Sequence, residues 1–188
     1  MTFAALALAA LLLPLASSAP APAAGVPATA GTRIKIVTQF GDIVVVLEDK
    51  KAPITTANFL HYVDAKFYDG GSFFRAIPGF VIQGGNRPQE HDATDARIVL
   101  EGPAKTGIKN VDGAISMART SDPDSATSEF FICDGAQARL DGSETEPGYA
   151  AFGHVISGMN VVRKIARLPG EQQILLTPVT IQKVVRVR

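Results

Sequence analysis

Apolar and polar positions alternate with a period of two from Arg33 to Thr38, where Ile34 and Ile36 stand against Arg33, Lys35 and Val37. From Ile43 to Glu48 the run is apolar throughout, as in a strand buried on both faces, and Gln39-Phe40-Gly41-Asp42 predicts the hairpin that joins the two. The period then changes. Between Ala52 and Phe67 the apolar residues Phe59, Leu60, Val63 and Phe67 fall on one helical face, opposite Asn58, His61, Asp64 and Lys66. Pro53 suits the first turn of that helix and Tyr68-Asp69-Gly70-Gly71 ends it.

Phe73 to Asn86 places two short apolar runs around Pro78-Gly79 and closes on Gly84-Gly85, the pattern of paired strands that end where backbone bends or is approached closely. If Phe73 points inward, strict alternation puts Arg75 on the same face, with Phe80 and Ile82 on one side of the next strand and Val81 and Gln83 on the other. Arg87 to Lys109 is a long polar excursion broken only by a short strand at Arg97 to Leu100. Gly113 to Ala118 and Glu129 to Cys133 predict central strands, separated by a loop rich in Ser, Asp, Thr and Pro; a second loop runs from Ala136 to Gly148. Met159, Val162, Ile165 and Ala166 mark a second helix, with Arg163, Lys164 and Arg167 toward its C-terminus, where the helix dipole favours cations. Val179 to Val187 is the last strand, alternating Val179, Ile181, Lys183, Val185 and Val187 against partners that are polar except Val184. Many short strands with only two helices predict a mainly β protein: a closed antiparallel β-barrel capped by a helix over each end, because closure removes exposed edges.

At 188 residues with zero formal net charge, the chain suits one domain with a real core and has no basic stripe to track a nucleic-acid backbone. Residues 1–31 are rich in Ala, Leu and Pro and carry no charged side chain. The apolar run Phe3 to Leu15 is too short to span a bilayer, which takes about 20 residues. With the small residues of Ala21-Pro22-Ala23 behind it, the run reads as a signal peptide over residues 1–23, although no Lys or Arg precedes it. Residues 24–31 then form a flexible lead-in to a domain at residues 32–188, without stable membrane insertion. Cys133 is the only cysteine, so no intramolecular disulfide forms, and a buried inert thiol is expected. His61, His91 and His154 share no metal-ligand spacing, and the acidic positions Asp122, Asp124, Asp141, Glu144 and Glu146 read as solvated turns.

Arg75 is the one cation among the aromatics of Phe73 to Asn86, poised to recognise a planar polar group against an apolar floor. Taken alone, the stretch reads better as a core strand pair whose Arg covers an edge. Phe73-Phe74-Arg75-Ala76-Ile77-Pro78-Gly79-Phe80-Val81-Ile82-Gln83-Gly84-Gly85 is similar, however, to the cyclophilin signature F-H-R-V-I-x-G-F-M-x-Q-G-G. Gly113 to Ala118 and Ser125 to Ile132 resemble that family's G-x-L-S-M-A and S-x-x-S-Q-F-F-I. Phe152-Gly153 with Gly158-Met159-Asn160-Val161-Val162 resembles its later F-G-x-V-x-x-G-M-x-V-V segment. The resemblance runs in order from about Arg33 to Val187. It implies an eight-stranded barrel and peptidyl-prolyl cis/trans isomerisation, which breaks no bond and needs no nucleophile, metal or other cofactor.

Carried over residue by residue, the resemblance makes Arg75 the catalytic donor and Gln83 the residue that steadies it. Phe80, Val81, Phe131 and Leu140 become the proline pocket, and Ala118 and Arg119 the neighbouring groove. Tyr149 occupies a position where many relatives have His. Three departures stand out: Phe74 replaces the His beside the catalytic Arg, Glu129 replaces a Gln, and Arg139 stands where relatives carry Trp or Phe. Arg139 implies weak inhibition by cyclosporin. Glu129 is expected to pair with Arg75 or Arg119 and to tune turnover. The expected partners are proline-containing peptides and partly folded proteins, bound by a monomer exported to the periplasm. A proline-peptide binding module or chaperone of the same fold with little turnover is the alternative reading, and a small-molecule carrier barrel a more distant one.

Overall fold

A computed structural model describes residues 31–86, 96–143 and 145–187. The leader, and with it the expected signal peptide, lies outside the described residues. Strand β1 (Arg33–Thr38) pairs antiparallel with both β2 (Gly41–Leu47) and β9 (Ile174–Val187), and this double pairing closes the sheet. Between them run β7 (Ala151–Ser157), β5 (Ala114–Met117), β6 (Phe130–Cys133), β4 (Val81–Asn86) and β3 (Ser72–Ile77), in the order β1-β2-β7-β5-β6-β4-β3-β9. The result is the expected closed eight-stranded antiparallel barrel. A further two-residue strand, β8 (Gly170–Glu171), pairs only with the start of β9.

Helix α1 (Pro53–Asp64) buries Phe59, Leu60 and Val63, and helix α3 (Met159–Ala166) buries Val162, Ile165 and Ala166, the apolar faces read from their spacing. Both sets join one core with the inward residues of the barrel. Its centre is aromatic: Phe59 lies 5.1 Å from Tyr68, 5.4 Å from Phe130 and 5.2 Å from Phe152, between ring centroids. Burial of such rings dominates core energetics.

The N-cap residue of α1, Ala52, supplies no side-chain acceptor, and the helix is capped from a distance instead. The buried carboxylate of Glu101 accepts hydrogen bonds from the backbone N–H of Thr55 (2.8 Å) and from its hydroxyl (2.9 Å). A negative charge there also complements the helix dipole. The polar excursion is thus tied to the barrel.

Three sequence expectations change. The last strand starts five residues early, at Ile174, since Pro178 sits where the pairing with β3 is irregular and needs no ladder donor. Within it Thr38 pairs with Ile181 and Val37 with Lys183, so Gln182 is an extra residue. That bulge shifts the phase of alternation: Val179, Ile181 and Val184 are buried and Lys183 is exposed. The strand expected at Arg97 to Leu100 reduces to a single bridge, Ile98 with Ala126. Beyond it Pro103–Thr106 forms one turn of helix, α2, stopped by Gly107 in the left-handed region (φ 71°).

Replacing Glu101 with Ala strands the buried N–H and hydroxyl of Thr55. Thermal or denaturant unfolding should show a loss of about 2 kcal/mol, the cost of a lost cap with unsatisfied donors.

Candidate active site

Strand alternation builds two apolar clusters from the same three strands. Ile82 of β4, Phe130 and Ile132 of β6 and Ile115 and Met117 of β5 point into the barrel. Their neighbours Val81, Phe131, Cys133 and Ala114 point outward and form a second buried cluster, against which Phe80, Ala118, Leu140 and Tyr149 pack. Phe131 meets Tyr149 edge to face, 5.6 Å between centroids. Phe80 therefore belongs with Val81 rather than with Ile82, as it sits in the turn before β4, where strand alternation has not begun. A cavity of about 240 Å³ opens on this outer cluster, lined by Arg75, Phe80, Val81, Gln83, Ala118, Arg119, Phe131, Leu140 and Tyr149. Nine of the residues expected from sequence are brought together there, and the tenth, Glu129, stands behind Gln83.

Arg75 reaches this face through an irregularity. Phe73 pairs with Gly84 but Arg75 with Gln83, so Phe74 is an extra residue in β3. Phe73 is fully buried in the barrel, whereas Arg75, two residues on, lines the outer cavity; the expectation that they share a face is overturned by this bulge. The glycines opposite make room for it. A Cβ on Gly84 would lie 2.5 Å from the carbonyl oxygen of Ser72 and 2.9 Å from the Phe73 ring, and Gly85 has a φ of +98°.

Two amide side chains hold the guanidinium. Nη1 of Arg75 donates to Oε1 of Gln83 (3.1 Å), while Nε (3.1 Å) and Nη2 both donate to Oε1 of Gln173. Gln83 in turn donates from Nε2 to Oε2 of Glu129 (2.9 Å). The carboxylate thus reaches Arg75 through an amide. The expected ion pair of Glu129 with Arg75 or Arg119 does not form; Arg119 instead donates to the carbonyl oxygens of Thr120, Pro147 and Gly148 and lies 4.6 Å from the Tyr149 ring centroid.

The far wall is fixed by a buried knot. Asn110 donates from its backbone to Oδ1 of Asp141 (2.7 Å) and from its side-chain amide to the same oxygen (3.0 Å) and to the carbonyl of Leu140 (3.1 Å), and it accepts the Ser116 hydroxyl (2.7 Å). The N–H of Tyr149 donates to the carbonyl of Leu140 (2.8 Å). Asp141 is therefore a structural acceptor and not the solvated turn residue expected. Asp122 and Asp124 likewise tie the loop to Arg97 and to the N–H of Leu100. The guanidinium of Arg139 lies 4.4 Å from the Phe80 ring centroid, at the rim of the apolar wall. Burial, with Asp141 and Asp112 nearby, pushes the Cys133 thiol up to about 12, so it stays protonated and inert at neutral pH.

Sequence reading missed Asn110 and Gln173. Asn110 lies in an unpatterned polar stretch. Gln173 belongs to a hairpin without the Gly or Asn that usually marks positive φ: Gln172 and Gln173 have φ of 48° and 74°.

Residues 33–186 match the family described as cyclophilin type peptidyl-prolyl cis-trans isomerase/CLD. The chain belongs to this family. Among curated cyclophilins and related isomerases, it is 41% identical over 160 residues to peptidyl-prolyl cis-trans isomerase A of Dickeya dadantii, covering 82% of this chain and 84% of that one. It is 44% identical over 142 residues to a peptidyl-prolyl cis-trans isomerase of Acinetobacter baylyi, covering 76% of each. Peptidyl-prolyl cis-trans isomerase B of Escherichia coli is 40% identical over 131 residues, 68% of this chain and 80% of that one. A crystal structure of a Cryptosporidium parvum cyclophilin in the presence of the dipeptide Ala-Pro superposes with a TM-score of 0.73 at 24% identity, covering 83% of this chain and 99% of that one. The cyclophilin fold and peptidyl-prolyl cis/trans isomerase activity of the chain follow from these relationships.

Proposed function

We propose that the cavity on the outer face of β4, β5 and β6 is the isomerisation site, with Arg75 as the donor to the rotating bond. The observation that carries this reading is the guanidinium of Arg75, held by two amides at the edge of a cavity whose walls are Phe80, Val81, Phe131 and Leu140. An X-Pro bond resists rotation because amide resonance must be lost, a barrier of about 18–20 kcal/mol. As the bond leaves the plane, the proline nitrogen becomes pyramidal and regains a lone pair, which a guanidinium stabilises more than it does the planar ground state.

The apolar wall takes the proline ring, removes water and strengthens that hydrogen bond. Bringing ~100 s to about a millisecond is a factor near 10⁵, or about 7 kcal/mol of barrier. One hydrogen bond to a charged donor contributes about 1.5–3 kcal/mol, so positioning and desolvation supply the larger share. Ala118 and Arg119 border the cavity where the peptide backbone continues. Glu129 orients the Gln83 amide, so that its oxygen faces Arg75, and tunes turnover without contacting substrate.

The substrates are X-Pro segments of peptides and of partly folded proteins, acted on by a monomer. Export to the periplasm is the location this reading assigns, supported by the apolar run Phe3 to Leu15 followed by small residues. No helix among the described residues is long and apolar enough to cross a membrane.

In a protease-coupled assay on an X-Pro peptide, Arg75→Ala should lower kcat/KM by about ten- to a hundredfold, the scale of one charge-assisted hydrogen bond made in the transition state. Activity equal to the parent would remove Arg75 from the reaction. Glu129→Gln in the same assay should change kcat/KM by less than about tenfold, or 1.4 kcal/mol, since a neutral amide still accepts from Gln83. Amino-terminal sequencing of protein recovered from the cell envelope should begin between residues 19 and 25; a chain that starts at Met1 there contradicts cleavage.

A further inference from the structure

The guanidinium of Arg75 has five N–H donors. Gln83 takes one, on Nη1, and the side chain of Gln173 takes two more, on Nε and Nη2. Two remain for a peptide. Gln173 is no part of the apolar wall: it stands at the tip of the hairpin between β8 and β9, where Gln172 and Gln173 both hold a positive φ that residues with a side chain seldom adopt. This costly turn is fixed to the strand that carries Arg75. Ala76, the residue after Arg75, donates its backbone N–H to the carbonyl of Gln173 (3.0 Å), and Ile174 is the register partner of Arg75. The same residue thus anchors its backbone to β3 and its side chain to the guanidinium, and strained backbone of this kind persists only where its surroundings hold it.

We propose that Gln173 is a second positioning residue, which together with Gln83 clamps the guanidinium so that its two free donors face the cavity. The inference rests on the reading of Arg75 as the donor. A four-torsion side chain held at one end only would sweep through solvent; with amide oxygens on Nη1 and on the Nε/Nη2 edge, its plane is set before substrate arrives. Preorganised donors of this kind act in the transition state without reorganising. Gln173 is exposed and does not line the cavity, so its substitution leaves the proline pocket intact.

The test is Gln173→Asn. Asn keeps the amide and favours positive φ, so the turn survives, but it is one methylene too short to reach Arg75. Gln172→Asn, in the same turn and with no hydrogen bond to Arg75, is the control. The expected result for Gln173→Asn is a kcat about tenfold or more below the parent, with KM within about threefold and an unchanged Tm, whereas Gln172→Asn matches the parent. In ¹⁵N-labelled protein without substrate, the Arg75 Nε–H signal, assigned by its loss in Arg75→Ala, should exchange faster with water in Gln173→Asn. Parent turnover in Gln173→Asn, or an unchanged Nε–H exchange rate, overturns the clamp. Faster exchange together with parent turnover in Arg75→Ala overturns the donor role of Arg75 instead, so the two failures are told apart.

Discussion

A guanidinium cannot be buried among aromatic rings without a partner, and this constraint decides the shape of β3. Phe73 fills the barrel beside Phe130, 5.8 Å between centroids, and regular alternation would bring Arg75 in after it. The extra residue at Phe74 turns the strand by half a period, which leaves Phe73 inside and delivers the charge to the outer face. Gly84 and Gly85 are the other half of the same device, since a side chain at Gly84 would collide with the bulged strand. The fold is otherwise an ordinary closed sheet. Its distinctive chemistry begins where one strand is one residue too long.

The outer face then gains what the interior could not hold: a charge beside an apolar wall. The two sides of the cavity have different origins. Val81 and Phe131 stand on paired strands of a closed barrel, where register allows little movement. Leu140, in a 3-10 turn (Ala138–Asp141), and Tyr149 come from the segment between β6 and β7, and the buried Asn110 and Ser116 with Asp141 give that segment comparable order. On the charged side, Glu129, Gln83, Arg75 and Gln173 form one chain of hydrogen bonds in which Arg75 donates both ways, to Gln83 and to Gln173, and the carboxylate sets which way the Gln83 amide faces. Such chains polarise along their length, and the partial exposure of this one limits the effect.

Much of this was legible in the sequence. The period-two runs and two helical faces sufficed for a closed barrel, and the apolar positions of α1 and α3 were placed by spacing alone. The residues around the cavity were found through resemblance, because a groove built on the outer face of strands looks, in periodicity, like a strand buried on both sides. What escaped has a physical cause in each case. The bulges at Phe74 and Gln182 are single insertions in register, set by the partner strand and not by the residues that carry them. The hairpin at Gln172 and Gln173 is held by tertiary hydrogen bonds against local preference. Asn110 and Glu101 act across 31 and 46 residues of chain, beyond the reach of any local pattern.

The most direct measurement is a crystal structure of the protein with a bound X-Pro peptide. The account predicts the proline ring seated against Phe80, Phe131 and Leu140, with a free N–H of Arg75 within hydrogen-bonding distance of the prolyl group and Gln83 still in place. A ring bound elsewhere on the barrel, or a guanidinium turned away from the peptide, would contradict it.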